Sequence, residues 1–315
     1  MQQNDAQELL DCLPHERTLY AYCHDYYAVQ LLELAAGRYP TIKALKGSNF
    51  GRLLDKPSIN PLIKTCGDGR FRPTAFASYW HDPGATYLLT AGLWDSRSGR
   101  YNQTSRPGFN LVLRLNFNHQ HDRLLHRTIH PVQDGVFNGW GHPYLQRGER
   151  PYYRETLAWA RLDVDLDKGE VLVEEIQSDW VREVNWLSGL VKHRQSTDTA
   201  MRCYGFHTTV DKARAYLGFV EPLLRGWSQA MLAAVIRFVC RELGISQFWY
   251  HSWETGNCLK NIDDRWAPPR SLYSRLPRQF CFEPTDRLPD FLNHKRTTRR
   301  LRRAKVKPRF YHLEL

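Results

Sequence analysis

The sequence predicts an α+β fold, in which a mixed, mostly antiparallel sheet is flanked by helices and preceded by a helical N-terminal segment. Three observations carry this. Residues Asn110 to Asn118 alternate, with Leu111, Leu113, Leu115 and Phe117 set against Asn110, Val112, Arg114 and Asn116, the period of a half-buried strand. Thr156 to Leu166 and Glu170 to Trp180 flank the turn signal Asp167-Lys168-Gly169 and read as a β-hairpin. Trp227, Met231, Val235, Ile236, Val239 and Leu243 mark one helix face that Gly244 ends, and a strand follows at Ile245 to Ser252.

In chain order, the first 65 residues read as helical. Thr18 to Ala36 gives the clearest piece: Leu19, Tyr20, Cys23, Tyr26, Tyr27, Leu31, Leu34 and Ala35 recur at helical spacing and Gly37 supplies a stop. A loop dense in Gly, Pro and Arg separates this part from a strand at Thr86 to Trp94. Arg106 lies beside a Pro-Gly turn and is read as turn chemistry, with an anion contact as the alternative. Residues 119–155 are rich in His, Gly, Pro and aromatics and suggest a long surface excursion. After Trp180 a polar stretch to residue 226 reads as an insertion, either a lid or a helical pair. Beyond the strand at 245–252 come a turn region at 253–269, a short helix near Arg270 to Tyr273, and a last strand at Gln279 to Glu283. The expected organisation is a helical segment at 1–82, a core at 83–290 with its insertion at about 181–226, and a basic C-terminal tail at 291–315.

The chain has 315 residues, 42% of them hydrophobic, enough for a substantial core. No apolar run approaches the roughly 18 to 20 residues of a transmembrane helix, and MQQNDAQELL lacks the regions of a signal peptide, so a cytoplasmic protein with no membrane partner is expected. Seven scattered cysteines without a C-x-x-C pair argue against a disulfide framework. His119 and His121 form the tightest histidine cluster and read as part of a surface loop, so no metal is expected. The net charge is +11, but residues 294–309 hold nine Lys or Arg and no acid, which leaves the rest of the chain at only +2. Such a run is a solvated tail or arm, or it binds a nucleic acid or an acidic protein through Arg299, Arg300, Arg302, Arg303, Lys305 and Lys307.

The stretch most like a site is EVLVEEIQSDW, Glu170 to Trp180, where an apolar strand turns into carboxylates, an amide and a hydroxyl. Strict alternation puts Val171 and Val173 on a face with Glu175, Gln177 and Asp179, and Leu172 with Glu174, Ile176, Ser178 and Trp180. A carboxylate carried inward needs a partner or must take up a proton. The structural alternative is that Glu174 and Glu175 pair with Arg161 or Arg114 across the sheet, and that Ser178 and Asp179 cap the next helix. YHSWETG, Tyr250 to Gly256, ends the later strand and offers His251 and Glu254 to the same cleft.

Two segments carry a resemblance to known families. WSQAMLAAVIRFVCRELGISQFWYHS is similar to the central helix and following strand of GNAT-type acyltransferases, and SLYSRLPRQFCFEPT to their closing L-Y-x-x-x-G-F segment, so the likeness covers residues 110–285. It implies a GNAT-like enzyme using acetyl-CoA or another acyl-CoA, with Glu175 as general base and Tyr273 as general acid; the reading of the residues themselves adds Gln177, Asp179 and His251 to position a small-molecule or protein substrate, with Glu254 facing the same cleft. The family holds its cofactor pyrophosphate on R/Q-x-x-G-x-G/A before the central helix. Here the nearest match is Leu223 to Ser228, so Arg225, Gly226, Trp227 and Ser228 are the candidate cofactor residues, although the pattern departs at both ends. EEIQSDW also resembles an uncharacterised domain of large polyvalent proteins of phages and conjugative elements. That likeness implies the alternative of a non-catalytic, mobile-element binding module contacting nucleic acid through its basic tail. A third reading is a hydrolase or ADP-ribosyl-type enzyme using Glu175 and Gln177.

Overall fold

The alternating segments build the sheet, and the computed structural model describes residues 1–13, 18–82, 84–97, 102–138, 154–194, 200–203, 205–263, 265 and 267–315. Helix α1 (Gln3–Cys12) precedes strand β1 (Thr18–Cys23), helix α2 (Tyr26–Ala35) and the short helices α3 (Ile42–Lys46), α4 (Gly51–Leu54) and α5 (Asn60–Lys64). Strands β2 (Gly84–Asp95) and β3 (Phe109–Asn116) lead into α6 (His119–Thr128), then the hairpin of β4 (Thr156–Asp165) and β5 (Glu170–Gln177). Next come α7 (Asp179–Lys192), a small hairpin of β6 (Ala200–Cys203) and β7 (Phe206–Thr209), and the helices α8 (Val210–Arg225) and α9 (Trp227–Glu242). The chain ends with β8 (Gln247–His251), α10 (Trp253–Lys260), α11 (Arg275–Gln279), β9 (Glu283–Thr285), α12 (Lys295–Arg303) and β10 (Phe310–Glu314).

The main sheet has eight strands in the order β1-β2-β3-β4-β5-β8-β10-β9. Every neighbouring pair is antiparallel except β5 and β8, which run parallel because α9 carries the chain across the sheet between them. One face is buried under α2 and α9, where Leu111, Leu113, Leu162, Val171 and Val173 meet Met231, Val235 and Val239. On the other face Leu172 and Trp249 pack with Leu259 of α10 and Leu301 of α12. Burying a side chain such as Leu301 is worth about 1.5–3 kcal/mol.

Four expectations are corrected. Thr18 to Ala36 is a strand, a turn and a helix, not one helix: TLYAYC satisfies both periods, and its aromatic alternation wins because β2 is there to pair with it, from Thr18↔Leu89 to Cys23↔Gly84. Asp25 makes the break with φ of 60°, held by Lys56 Nζ at 2.6 Å and Ser58 Oγ at 2.5 Å. The expected turn region at 253–269 begins as helix α10, started by Ser252, whose hydroxyl accepts from the Thr255 N–H. Gln279 ends a helix, and the last strand candidate is displaced to Glu283–Thr285 by a turn through Cys281, φ 65°.

The fourth concerns the tail. Residues 291–315 are part of the sheet, since β10 lies between β8 and β9 and pairs with both. The dense charge conceals this, because Thr297 and Leu301 are the buried residues of α12 and the alternating Phe310 to Leu313 starts only after the last arginine. Within 181–226 the described residues form a helical pair, α7 on α8, with the small β6–β7 hairpin between them in sequence and α8 resting on α6. Of the expected excursion at 119–155, the start is helix α6 and residues 139–153 lie outside the described ones. No single helix among the described residues is long and apolar enough to cross a membrane; α8 and α9 pass that test only as a bent pair, and the apolar residues of α9 are buried on the sheet.

An interior strand cannot be removed without exposing two ladders of backbone groups. Deleting residues 310–315 is expected to abolish the cooperative thermal transition followed by circular dichroism. A truncated chain that melts at the parental temperature would contradict the placement of β10.

Candidate functional site

Strict alternation fails at Glu174. The hairpin pairs Leu162 with Val173 and then Arg161 with Glu175, so Glu174 is the extra residue of a β-bulge. A bulge moves all later side chains to the opposite face. Val171, Val173 and Ile176 therefore all join the core under α9, while Glu174 and Glu175 both belong to the face that carries Leu172. This corrects the face assignment expected from sequence.

The bulge lies where β5 leaves its parallel partner. Pairing runs from Glu170↔Gln247 to Val173↔Tyr250, and β5 then continues through Glu174–Gln177 without β8, paired with β4 alone. The opening is filled. His251, the last residue of β8, brings Nε2 to 3.1 Å from Glu174 Oε2. Ser105 donates its N–H to Glu174 Oε1 and its hydroxyl to Oε2, both at 3.0 Å, and its Oγ is 2.9 Å from His251 Nε2. Lys260 of α10 donates to the Glu174 main-chain oxygen at 2.7 Å and stands 3.5 Å from the Tyr273 hydroxyl. Glu175 is ion-paired with Arg161 and accepts from Gln177 Nε2 at 3.0 Å. Glu174, Glu175, His251, Arg161, Lys260 and Tyr273 are all at most 4% exposed.

Burial disfavours the Glu174 carboxylate, but the His251 hydrogen bond and the charges of Lys260 and Arg161 outweigh it and hold the group below its ordinary value. Burial pushes His251 below its ordinary value, and Glu174 pulls it only part of the way back. With His251 neutral, Lys260 and Arg161 supply the charge that balances Glu174. Burial likewise lowers the Lys260 ammonium against the pull of Glu175 and Glu174, and raises the Tyr273 phenol well above its usual range.

Serine, histidine and carboxylate are in contact here, yet the geometry is not that of a nucleophilic relay. A relay needs the acid on one ring nitrogen and the serine on the other. Glu174 and Ser105 share Nε2, while Nδ1 has no hydrogen-bond partner among the described residues. All three contacts are satisfied when Nε2 carries the proton and the Ser105 hydroxyl points at Glu174, which leaves no lone pair to accept the serine proton. The cluster is a closed knot.

Of the site residues expected from sequence, Glu175 and Gln177 are bonded to each other, His251 joins through Glu174, and Tyr273 through Lys260. The rest lie apart from these bonds. Asp179 opens α7 and bonds Arg182 at 3.0 Å, while Ser178 caps that helix. Glu254 is exposed and pairs with Arg270 at 3.2 Å. Arg225 is exposed and pairs with Glu221, and Gly226, Trp227 and Ser228 form the start of α9. Four cavities, of 980, 970, 500 and 380 Å³, are lined by none of Arg225, Gly226, Trp227, Ser228, Glu175, Gln177 or Tyr273. Trp180 donates its indole N–H to Asn138 at 3.3 Å and packs edge-on against Phe117 and His121. His121 is buried in α6 between Asp122 and the Tyr216 hydroxyl, which corrects the surface-loop reading of that histidine. Arg106, read from sequence as turn chemistry, forms a two-pronged ion pair with Asp163, at 2.7 and 3.0 Å.

Sequence reasoning missed Ser105 and Lys260. Lys260 was hidden because Gly256 and Asn257 of α10 read as a turn, although Ser252 ahead of them is a capping residue. Nothing in the sequence marks Ser105.

The second concentration of chemistry is α12. Arg296, Arg299, Arg300 and Arg303 line a groove of 970 Å³ between α12 and α10, with Trp253, Asn257, Cys258, Ile262 and Val306. Arg296 and Arg300 also border a cavity of 380 Å³ that reaches Arg97, Asn102, Ser105 and Arg106. Among the described residues none of Lys295, Arg296, Arg299, Arg300, Arg302, Arg303 or Lys305 is paired with a carboxylate, whereas Lys307 is held by Asp286 at 2.7 Å. Lys307 is therefore the one expected contact residue whose charge is already matched within the fold. No group of three or more His, Cys, Asp or Glu is placed to hold a metal ion among the described residues. No family model, curated protein or solved structure matches the chain.

Two outcomes follow from the knot. Glu174→Ala strands the buried charges around it and is expected to cost about 3–5 kcal/mol in urea unfolding, against about 1 kcal/mol for Ser105→Ala. For His251 and His121, burial lowers the folded value below 6.5, so on acidification the unfolded chain takes up protons first. Stability should fall as pH drops below about 6.5; the Glu174 contribution is whole above its unfolded value of 4.5 and is lost progressively below it, as pH falls toward the lowered folded value. A melting temperature that stays flat between about pH 7.5 and 5.5 would contradict the buried neutral histidines.

Proposed function

We propose that this protein is a binding module on a GNAT-like scaffold, and that α12 contacts the phosphate backbone of nucleic acid. The observation that carries the reading is the row of arginines without carboxylate partners on a helix held in place by Thr297 and Leu301. Five of the six cations in α12 are arginine, the side chain whose planar fork suits phosphate. Arg296, Arg300 and Arg303 recur at helical spacing along about 10 Å of axis. The scaffold assignment is supported by the antiparallel meander that enters a central helix, a strand parallel to the one before it, a short helix and closing strands. The knot in turn argues for structure over catalysis at Glu175.

A second reading, acyl transfer from acetyl-CoA or another acyl-CoA with Glu175 as base and Tyr273 as acid, has one observation in its favour. Strand β5 outruns β8 beyond Val173, as the cofactor-binding pair of GNAT-type enzymes does. Against it, Glu175 is held by Arg161 and Gln177, and Lys260 already occupies the main-chain oxygen of Glu174 in the opening. The same Glu175–Gln177 bond weighs against the hydrolase or ADP-ribosyl reading. Calorimetry with millimolar acetyl-CoA separates the readings, with no heat of binding expected.

The nucleic-acid reading is tested by point substitution, since deleting the segment would remove β10. Arg299→Glu with Arg303→Glu should weaken oligonucleotide binding at least tenfold and flatten its dependence on salt by roughly 0.7–0.9 in log–log slope for each phosphate no longer neutralised. Unchanged affinity and slope would overturn it.

A further inference from the structure

Resting on the phosphate-binding reading of α12, the structure assigns the groove between α10 and α12 to a single-stranded nucleic acid and not to a duplex. The two walls differ in kind. On the α12 side Arg296, Arg299, Arg300 and Arg303 stand in a row. The α10 side presents the half-buried Trp253 and Cys258, with Ile262 just beyond the helix. Glu254 and Asp263 stand on this side, with Glu254 neutralised by Arg270 at 3.2 Å and Asp263 by Arg265 at 3.1 Å. The groove thus offers one line of unmatched cations beside a mixed wall in which Trp253, Cys258 and Ile262 supply the apolar surface and Asn257 and Asn261 the amides. A duplex shows two phosphate tracks and keeps its base faces stacked inside; a single strand has one track and can lay its bases on apolar and aromatic surface.

Trp253 is built as a platform. Its indole N–H donates to the Pro268 oxygen at 2.8 Å, the Arg270 guanidinium covers one ring face at 4.0 Å and the ring packs against the core, so it is fixed before any ligand arrives and offers a base only its remaining half-buried surface. A fixed aromatic loses little conformational freedom on binding. Asn257 supplies the second, independent observation. It lines the groove, is only 8% exposed, and its Nδ2 finds no acceptor among the described residues. A buried amide donor left without an acceptor costs stability, and a base carbonyl or phosphate oxygen would satisfy it once the amide, now closed off from solvent, turns toward the groove.

The test uses the full chain and fluorescence anisotropy with a labelled mixed-sequence oligonucleotide, single-stranded or annealed, at two salt concentrations. Single strand is expected to bind at least tenfold tighter than duplex. Trp253→Ala should weaken the single strand about tenfold, Trp253→Phe should keep the fold and most of the affinity, and Asn257→Leu should reduce affinity with little change in salt slope. Tighter binding of duplex, or single-strand binding indifferent to Trp253→Ala, would overturn this inference while leaving the role of α12 intact. Equal affinity for poly-glutamate, or binding of neither nucleic acid, would overturn the α12 reading itself.

Discussion

The bulge at Glu174 is the constraint on which the rest of this molecule depends. One extra residue in β5 turns two adjacent glutamates toward the same side of the sheet at the point where the parallel pairing with β8 stops. Two buried carboxylates side by side repel each other, and the end of the pairing with β8 there frees a main-chain oxygen. Arg161 answers one carboxylate and Ser105 and His251 answer the other, while Lys260 takes the Glu174 oxygen. Each partner comes from a different element: β4, the loop before β3, the end of β8, and α10. The polar knot therefore fixes how four separate stretches of chain meet, a specificity that apolar packing alone does not impose.

The same knot sets where the basic helix sits. His251 is followed by Ser252, which caps α10, and the Ser252 N–H donates to the Arg309 oxygen at 3.2 Å while the Arg309 N–H donates to Thr255 Oγ1 at 3.0 Å. The chain after α12 is thus tied to the start of α10 before it enters the sheet as β10. Leu301 packs with Leu172 and Trp249 on the face that carries Glu174. A helix with five arginines and no internal acids would gain little from being folded alone, because its charges repel. Docking it through Leu301 and β10 holds those charges in place and keeps their outer faces available.

The sequence made the β4–β5 hairpin, α9 and β8 legible, since their periods were clean and their boundaries marked by Gly169 and Gly244. It was ambiguous at Thr18 to Cys23, where six residues fit two periods and only the presence of β2 decides. It was misleading at 291–315, where charge density masked one buried leucine and a short alternating strand. Within the candidate site, Glu175 with Arg161 was readable as a cross-strand pair, but alternation could not reveal the bulge, because a bulge is a property of the pairing and not of one strand. Ser105 and Lys260 became visible only when the fold brought remote segments to Glu174. The arginine row was plain in sequence; its groove, with Trp253 and Asn257 opposite, was not.

A polar knot thus ties the fold together, and the groove proposed to bind is separate from it. Hydrogen–deuterium exchange with and without a single-stranded oligonucleotide tests that separation most directly. Protection is expected in α12, over 295–303, and in α10, over 253–260, with β5 unchanged. Protection appearing instead at the end of β5 and at Arg225 to Ser228, with oligonucleotide or with acetyl-CoA, would contradict it.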